Sequence, residues 1–208
     1  MTPVQIAALL RPFIELDAKL LEQISIYIDL LLKWNSRVNL TAVRRAEDIV
    51  QRHFGESFFV AARMLSPQAG ESIIDLGSGA GFPGIPLAMF APRATVTLIE
   101  SNGKKAAFLH EVVRALQLRN VTVFRQRAED YSGSTQLVTM RAVEKFAEAK
   151  RQAAKLVQPG GRLALMIGAG QVKEATAEAD GFKWEEAVQI PGGHSRVLLV
   201  GTKRVRVE

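Results

Sequence analysis

Two hydrophobic rhythms divide this chain. From residue 2 to about residue 65 apolar positions recur every three or four residues, with Leu16, Leu20, Ile24, Tyr27 or Ile28, Leu31 and Trp34 on one stripe. Asp17 stands just before that stripe, where a carboxylate can accept from the first helical turn. A second helix is predicted over residues 45–64, and the polar segment Trp34–Thr41, with two asparagines, reads as the turn between them. Ser66-Pro67-Gln68-Ala69-Gly70 then breaks the rhythm and marks a boundary. Beyond it, short β-branched runs predict strands at residues 72–76, 95–99, 121–124, 137–140 and 162–167, and later at 184–190 and 196–201. Helices are predicted over residues 84–90, 104–116, 143–156 and 171–179. Such alternation implies βαβ units, hence a parallel sheet with helices on both faces. Pro191-Gly192-Gly193 reads as a hairpin joining the last two strands, so one edge strand is expected to be antiparallel. The expected organisation is a helical extension over residues 1–65 packed on an α/β domain over residues 66–208.

The densest chemical signal sits at the end of the first predicted strand, in Asp75-Leu76-Gly77-Ser78-Gly79-Ala80-Gly81-Phe82-Pro83-Gly84. A strand closed by an acid, a tight glycine turn and a proline-marked helix start together let a ligand approach bare backbone. The free N–H groups of the helix start favour an electron-rich ligand group there. Dinucleotide sites space their glycines as G-x-G-x-x-G. Here the third glycine comes one residue early, and Phe82 holds the position a dinucleotide site needs. An acid followed by G-x-G-x-G resembles the first motif of class I S-adenosylmethionine methyltransferases. The strand content and the terminal hairpin match that fold: Rossmann-like, seven-stranded and mostly parallel, here preceded by a helical segment.

Composition narrows the chemistry. The 208 residues suffice for one large domain or a domain with an appendage, and 48% apolar with 23% charged residues is ordinary for a globular chain. No cysteine is present, which excludes disulfides, thiolate metal sites and a cysteine nucleophile, and fits a reducing cytoplasm. No signal peptide is expected, and the apolar stretch near Ile24–Leu32 is too short and too interrupted to span a bilayer. A net charge of +6 hints at a polyanionic partner.

Three further places carry candidate chemistry. Glu100 ends the second predicted strand, where an acid can accept from ribose hydroxyls or simply stand in solvent. Arg127-Ala128-Glu129-Asp130 follows the third, where a backbone N–H and a carboxylate can read an adenine or cap the next turn. The fourth is followed by Arg141-Ala142-Val143 rather than an Asn/Asp-Pro-Pro-aromatic motif, which argues against adenine-N6 chemistry. Without a cysteine, methylation at pyrimidine C5 is excluded as well. What fits is a substrate atom already nucleophilic, such as guanine N7, needing alignment rather than a general base.

At this level of detail the chain resembles the bacterial small-subunit rRNA guanine-N7 methyltransferases, the glucose-inhibited division protein B family, from about residue 31 to residue 203. The resemblance rests on Trp34-Asn35 with Asn39-Leu40-Thr41-Ala42, on His53-Phe54 with Ser57, and on the run from Asp75 to Pro86. Lys104, Phe108-Leu109, Arg127-Ala128-Glu129, Arg141-Ala142, Pro159-Gly160-Gly161-Arg162 and Ser195-Arg196 continue it. It implies S-adenosylmethionine as cofactor, held by Asp75, Gly77, Gly79, Gly81, Phe82, Glu100, Ala128, Glu129 and Arg141, and no metal. It implies that Arg141 orients base or cofactor; its planar fork suits a carboxylate, a phosphate or a guanine edge, with a structural ion pair as the plain alternative. It further implies RNA contacts from Arg127, Arg196 and Asn39, and methylation of a guanine in the 530 loop of 16S rRNA by a cytoplasmic, monomeric, membrane-free enzyme. The RNA would be met in the 30S subunit or an assembly intermediate. Two rivals stand beside this: a methyltransferase of the same fold with another substrate, and an inactive RNA-binding module.

The pattern departs from the family at three positions. Ile167 stands where a lysine is common, Glu56 where the family's His-x-x-Asp-Ser has aspartate, and Glu100 where aspartate is usual. His53 is expected to form a structural hydrogen bond joining the helical segment to the catalytic domain.

Overall fold

The structure, a computed structural model, describes residues 1–68, 70–142, 145–177, 181–193 and 195–205. Helix α1 (Pro3–Leu10) opens with a reciprocal Thr2–Gln5 capping box and a proline in its first turn. Helix α2 (Ala18–Asn35) starts where expected, the Asp17 carboxylate accepting from the Leu20 N–H at 2.8 Å. It runs on through Trp34 into the predicted turn, and Asn35 then folds the chain back. The Asn35 Oδ1 accepts from the N–H groups of Leu40 and Thr41, and its amide donates to the Thr41 carbonyl, all within 3.0 Å. The predicted second helix changes pitch: α3 (Ala46–Ile49), a π-helical turn over Val50–Gly55, then α4 (Glu56–Met64). Such wide turns redirect side chains and often mark functional sites. Gly55 is needed in this one, because a Cβ there would lie 2.7 Å from the Phe13 ring.

The alternating half follows as β1 (Ser72–Leu76), α5 (Gly84–Phe90), β2 (Thr95–Ile99), α6 (Gly103–Ala115), β3 (Val121–Phe124), β4 (Thr135–Arg141) and α7 (Phe146–Leu156). It ends with β5 (Val157–Gly168), α8 (Val172–Thr176), β6 (Phe182–Trp184), β7 (Val188–Gln189) and β8 (Arg196–Lys203). The first residues predicted for α7, 143–144, and residues 178–179 predicted for α8 lie outside the described residues. Strand order is β3-β2-β1-β4-β5-β8-β6, with β7 also against β8. Strands β1 to β5 pair in parallel, whereas β8 is antiparallel to β5, β6 and β7.

The antiparallel strand therefore lies one place in from the edge rather than on it. The segment predicted as one strand over 184–190 is broken into β6 and β7, which share the outer side of β8. A hairpin puts two strands side by side without fixing which is inner. Burial decides it: Val197–Val200 is an unbroken apolar run buried on both faces, while β6 and β7 are short and half exposed.

Period-two alternation splits the sheet into two apolar layers. Ile73, Leu98, Leu137 and Ala164 join one cluster with Ile24, Tyr27 and Phe54 of the helical segment and Phe108 of α6. Their neighbours Ile74, Ile99, Val138 and Leu165 face Ala153 and Leu156 of α7. The N-terminal helices thus share a core with the sheet. No helix among the described residues is long and apolar enough to cross a membrane.

Candidate active site

The chain reverses its direction of travel across the sheet between β1 and β4, leaving a crevice at their carboxyl ends, where ligands of open α/β sheets bind. Gly77, Gly79 and Gly81 all have positive φ (68°, 56° and 85°), a region side chains resist. The turn is pinned from below: Gly77 and Ser78 donate to the Ile99 carbonyl at 3.0 Å. The Asp75 carboxylate accepts from the Gly84 N–H at 3.1 Å and the Thr139 hydroxyl at 2.8 Å. Asp75 is buried, which pushes its carboxyl up to about 6 despite these bonds. Both its oxygens are spent on holding β1, β4 and α5 in register around the turn, and its side chain lines neither cavity described below.

A prop from the helical segment supports the turn. The Tyr27 hydroxyl donates to the Ala80 carbonyl, and its ring stacks on Phe82 with centroids 5.2 Å apart and planes 4° from parallel. His53 stacks on Phe82 at 5.0 Å and Phe54 meets it edge-on. Gly81 leaves the space the Tyr27 hydroxyl occupies, since a Cβ at residue 81 would collide with it. Phe82 therefore ties α2 and the π turn to the glycine loop.

Two cavities meet at Gly77. The first, about 360 Å³, is bordered by Glu100, Arg127, Ala128 and Glu129. Glu100 bridges the ends of β1 and β2, accepting from the Gly79 N–H at 2.9 Å and the Asn102 N–H at 2.7 Å. A carboxylate offers about four acceptor positions, so about two remain for hydroxyls in this cavity. Ala128 and Glu129 lie in a single helical turn over Ala128–Asp130, with Arg127 exposed just before it. The second cavity, about 320 Å³, lies between the Leu40–Val43 loop and the glycine turn, with Phe82, His53 and Arg141 in its wall.

Arg141 is the most constrained group in this second cavity. Its Nη2 donates to the Arg52 carbonyl and to His53 Nδ1, both at 2.9 Å, and faces Glu56 Oε2 at 3.2 Å. Its Nη1 is buried and makes no hydrogen bond to the described residues. Burial pulls the guanidinium pKa down and Glu56 pulls it back up. Because arginine only donates, His53 Nδ1 must accept, leaving Nε2–H to donate to Thr41 Oγ1 at 2.7 Å. Burial, then Arg141 and Arg52, hold the His53 pKa down at about 3, so the ring is neutral. The expected hydrogen bond between the helical segment and the catalytic domain is this His53–Arg141 contact.

Glu56 also takes Arg196, forming a buried arginine–glutamate–arginine triad that joins α4, β4 and β8. Arg196, expected on the RNA side, is thus half committed to this pair. Asn39 is exposed and accepts from Arg44 Nη2 at 3.1 Å. Arg127 stands apart from both, at the first cavity. Ile167 is buried in the α7-side layer opposite Val197, so its side chain is in the core. Tyr27, read only as part of a core stripe, and Glu56, read only as a departure from the family's aspartate, carry site geometry that the sequence pattern did not foresee. The signal available for Tyr27 was a tyrosine on a core stripe, whose hydroxyl must find a partner. A larger concavity of about 940 Å³ lies at the amino ends of β2 and β3, away from the crevice.

The parallel sheet with one reversed inner strand and a glycine turn at its switch point defines a class I S-adenosylmethionine-dependent methyltransferase. The fold overlays a ribosomal protein L11 methylase from Lactobacillus delbrueckii subsp. bulgaricus with a TM-score of 0.62 at 14% identity, covering 74% of this chain and 79% of that one. A SAM-dependent O-methyltransferase from Thermotoga maritima gives 0.60 at 21% identity, with 74% and 66% covered. Residues 20–196 match the model of rRNA small subunit methyltransferase G, and the chain belongs to that family. Relatives named ribosomal RNA small subunit methyltransferase G are 39% identical in Roseiflexus sp. (strain RS-1), over 91% of this chain and 86% of the relative. The one from Lachnoclostridium phytofermentans is 34% identical over 92% and 84%.

Proposed function

We propose that this protein transfers a methyl group from S-adenosylmethionine to N7 of a guanine in the 530 loop of 16S rRNA, guanosine 527 in standard rRNA numbering. Family membership supplies the substrate class. The observation that carries the chemistry is Arg141 Nη1, buried and without a hydrogen bond to the described residues, on a side chain that lines the cavity beside the glycine turn. Asp75 is buried behind the turn and lines neither cavity, and His53 has both nitrogens hydrogen-bonded, so neither is placed to take a proton from the substrate. Guanine N7 asks for none, because its lone pair is available and carries no hydrogen.

Bound in the crevice, the cofactor supplies an electrophilic methyl on a sulfonium sulfur. Glu100 takes the ribose hydroxyls with its remaining lone pairs, and Ala128 and Glu129 read the adenine. Gly77 and Gly79 leave the backbone open to the methionine, while Asp75, Gly81 and Phe82 brace the loop from behind. From the wall of the second cavity, Arg141 would orient the target base at O6 or hold the methionine carboxylate, aligning the two reactants. Arg196 and Asn39 face the RNA, Asn39 by holding Arg44, and Arg127 covers the adenosine edge. The same reading has a monomer working in the cytoplasm on rRNA in the 30S subunit or an assembly intermediate.

The test is transfer of labelled methyl from S-adenosylmethionine to 30S subunits, free 16S rRNA and total protein, all from a strain lacking the endogenous enzyme. Label confined to 16S rRNA supports the reading. Label on protein with none on RNA would transfer the assignment to another substrate.

A further inference from the structure

We infer that the groove beside the methyl-transfer cavity is a subsite for a nucleotide flanking the target guanine, with its phosphate on Arg44 and Arg196 and its base against Phe13 and Pro191. The inference rests on the reading above that the substrate is RNA. The groove encloses about 550 Å³ and shares Ala42, Val43 and Arg52 with the methyl-transfer cavity. A strand delivering a base to that cavity has this groove as its continuation.

Charge and shape agree. Arg44, Arg45, Arg52 and Arg196 border the groove against two acids, Asp48 and Glu56. Glu56 is spent between Arg141 and Arg196, and its side chain is 2% exposed. One carboxylate shared by two arginines leaves them a net positive charge. Although Arg45 pairs with Glu47 at 3.7 Å, Arg44 and Arg52 have no acidic partner among the described residues, as a phosphate site requires. Phe13 and Pro191, both half-buried, line the same groove as the arginines, and a base can stack on such apolar groups without regard to its identity.

Arg44 is the built part of the subsite. Its Nη1 donates to the Asn35 carbonyl and its Nη2 to Asn39 Oδ1, both at 3.1 Å, although the residue is exposed. A guanidinium carries five N–H groups, so three remain for a ligand. The loop does not need this clamp, because Asn35 already closes it with three hydrogen bonds of its own. What the two bonds fix is the direction of an exposed fork at the mouth of the groove. Asn39 is then a positioning residue acting through Arg44. RNA is favoured over a protein segment because the groove runs into the cavity that takes the base, and because exposed single-stranded loops splay their bases.

Steady-state methyl transfer to 30S subunits at several salt concentrations tests this, with Arg44→Gln, Asn39→Ala, the double variant and Arg119→Gln. Arg119 is an exposed arginine just before β3, at the far end of the sheet, and controls for lost charge. Arg44→Gln is expected to raise KM for the RNA about tenfold, as for loss of a charge-assisted bond, with little change in kcat. The slope of log(kcat/KM) against log[salt] should shrink by about 0.7, the value for one phosphate on a single strand. Calorimetric affinity for S-adenosylmethionine should stay at the wild-type value, which also shows that the variant is folded. Asn39→Ala should cost less, and nothing further in the Arg44→Gln background. Arg44→Lys should restore the salt slope but only part of the KM. A wild-type KM and salt slope in Arg44→Gln, or an equal loss in Arg119→Gln, overturns the subsite while the methyltransferase reading stands. No label on RNA from the wild-type enzyme sinks both.

Discussion

Glu56→Gln removes one negative charge from between two arginines while keeping the length and shape of the side chain. In the folded protein Glu56 Oε2 faces Arg141 Nη2 at 3.2 Å and Oε1 accepts from Arg196. The carboxylate is 2% exposed, Arg141 11% and Arg196 29%. Breaking a buried pair from one side costs about 3–5 kcal/mol, because the partner charge is left uncompensated. Arg196 can turn its exposed part to water, so the lower end, about 3 kcal/mol, is expected. At about 2–4 °C per kcal/mol for a chain of this size, Tm should fall by about 6–12 °C. Activity should fall further than folding explains, since Arg141 loses a contact that holds its guanidinium at the cavity wall. Glu56→Asp keeps the charge and should lie between the two in both measurements. Thermal unfolding by circular dichroism gives the first, and methyl transfer well below the variant's Tm gives the second. A Glu56→Gln protein with Tm within about 1 °C of wild type and full activity would refute the triad as the brace of Arg141.

Three more outcomes follow from the site. His53 has a folded pKa of about 3 against an ordinary 6.5, so its contribution to stability is present above pH 6.5 and lost as pH falls toward 3. Asp75, raised from 3.8 to about 6, acts oppositely, favouring the fold below its ordinary value and losing that contribution as pH rises to 6. The two offset one another between about pH 4 and 6, so urea-unfolding free energy should be flat there in wild type and fall with rising pH in His53→Asn; parallel curves would sink this. Tyr27→Phe should cost about 1 kcal/mol of stability and weaken cofactor affinity severalfold by freeing the Ala80 carbonyl; unchanged calorimetric affinity would count against the prop. Gly79→Ala puts a Cβ at φ 56°, a strain of about 1–2 kcal/mol, on a residue that lines the cavity. Cofactor affinity should fall about tenfold or more, and an alanine protein that binds normally would show the turn does not pass over the cofactor.

Local chemistry was legible in the sequence wherever it acts over a few residues. Asp17 caps its helix, β1, β2 and β3 span the predicted residues, and the glycine turn takes the positive φ values its composition suggested. Interactions across the fold were not legible. Glu56 and Arg196 are 140 residues apart, and a glutamate in an amphipathic helix looks like any solvated one until the sheet brings two arginines to it. The departure of Glu56 from the family's aspartate becomes intelligible only with that triad in view. Which strand forms the edge of the sheet was not legible for a related reason: hairpin geometry is local, but which strand lies inside depends on what buries it. Asp75 reads as a cofactor ligand from the motif alone. Folded, it spends both oxygens on Gly84 and Thr139, one of which lies 64 residues away.

The most direct measurement is nucleoside mass spectrometry of 16S rRNA after reaction with the purified protein, using RNA from a strain that lacks the endogenous enzyme. The account predicts one new 7-methylguanosine, mapping to a single guanine of the 530 loop, and its loss with Arg141→Ala. A methyl on any other atom, or on guanines throughout the RNA, would contradict it.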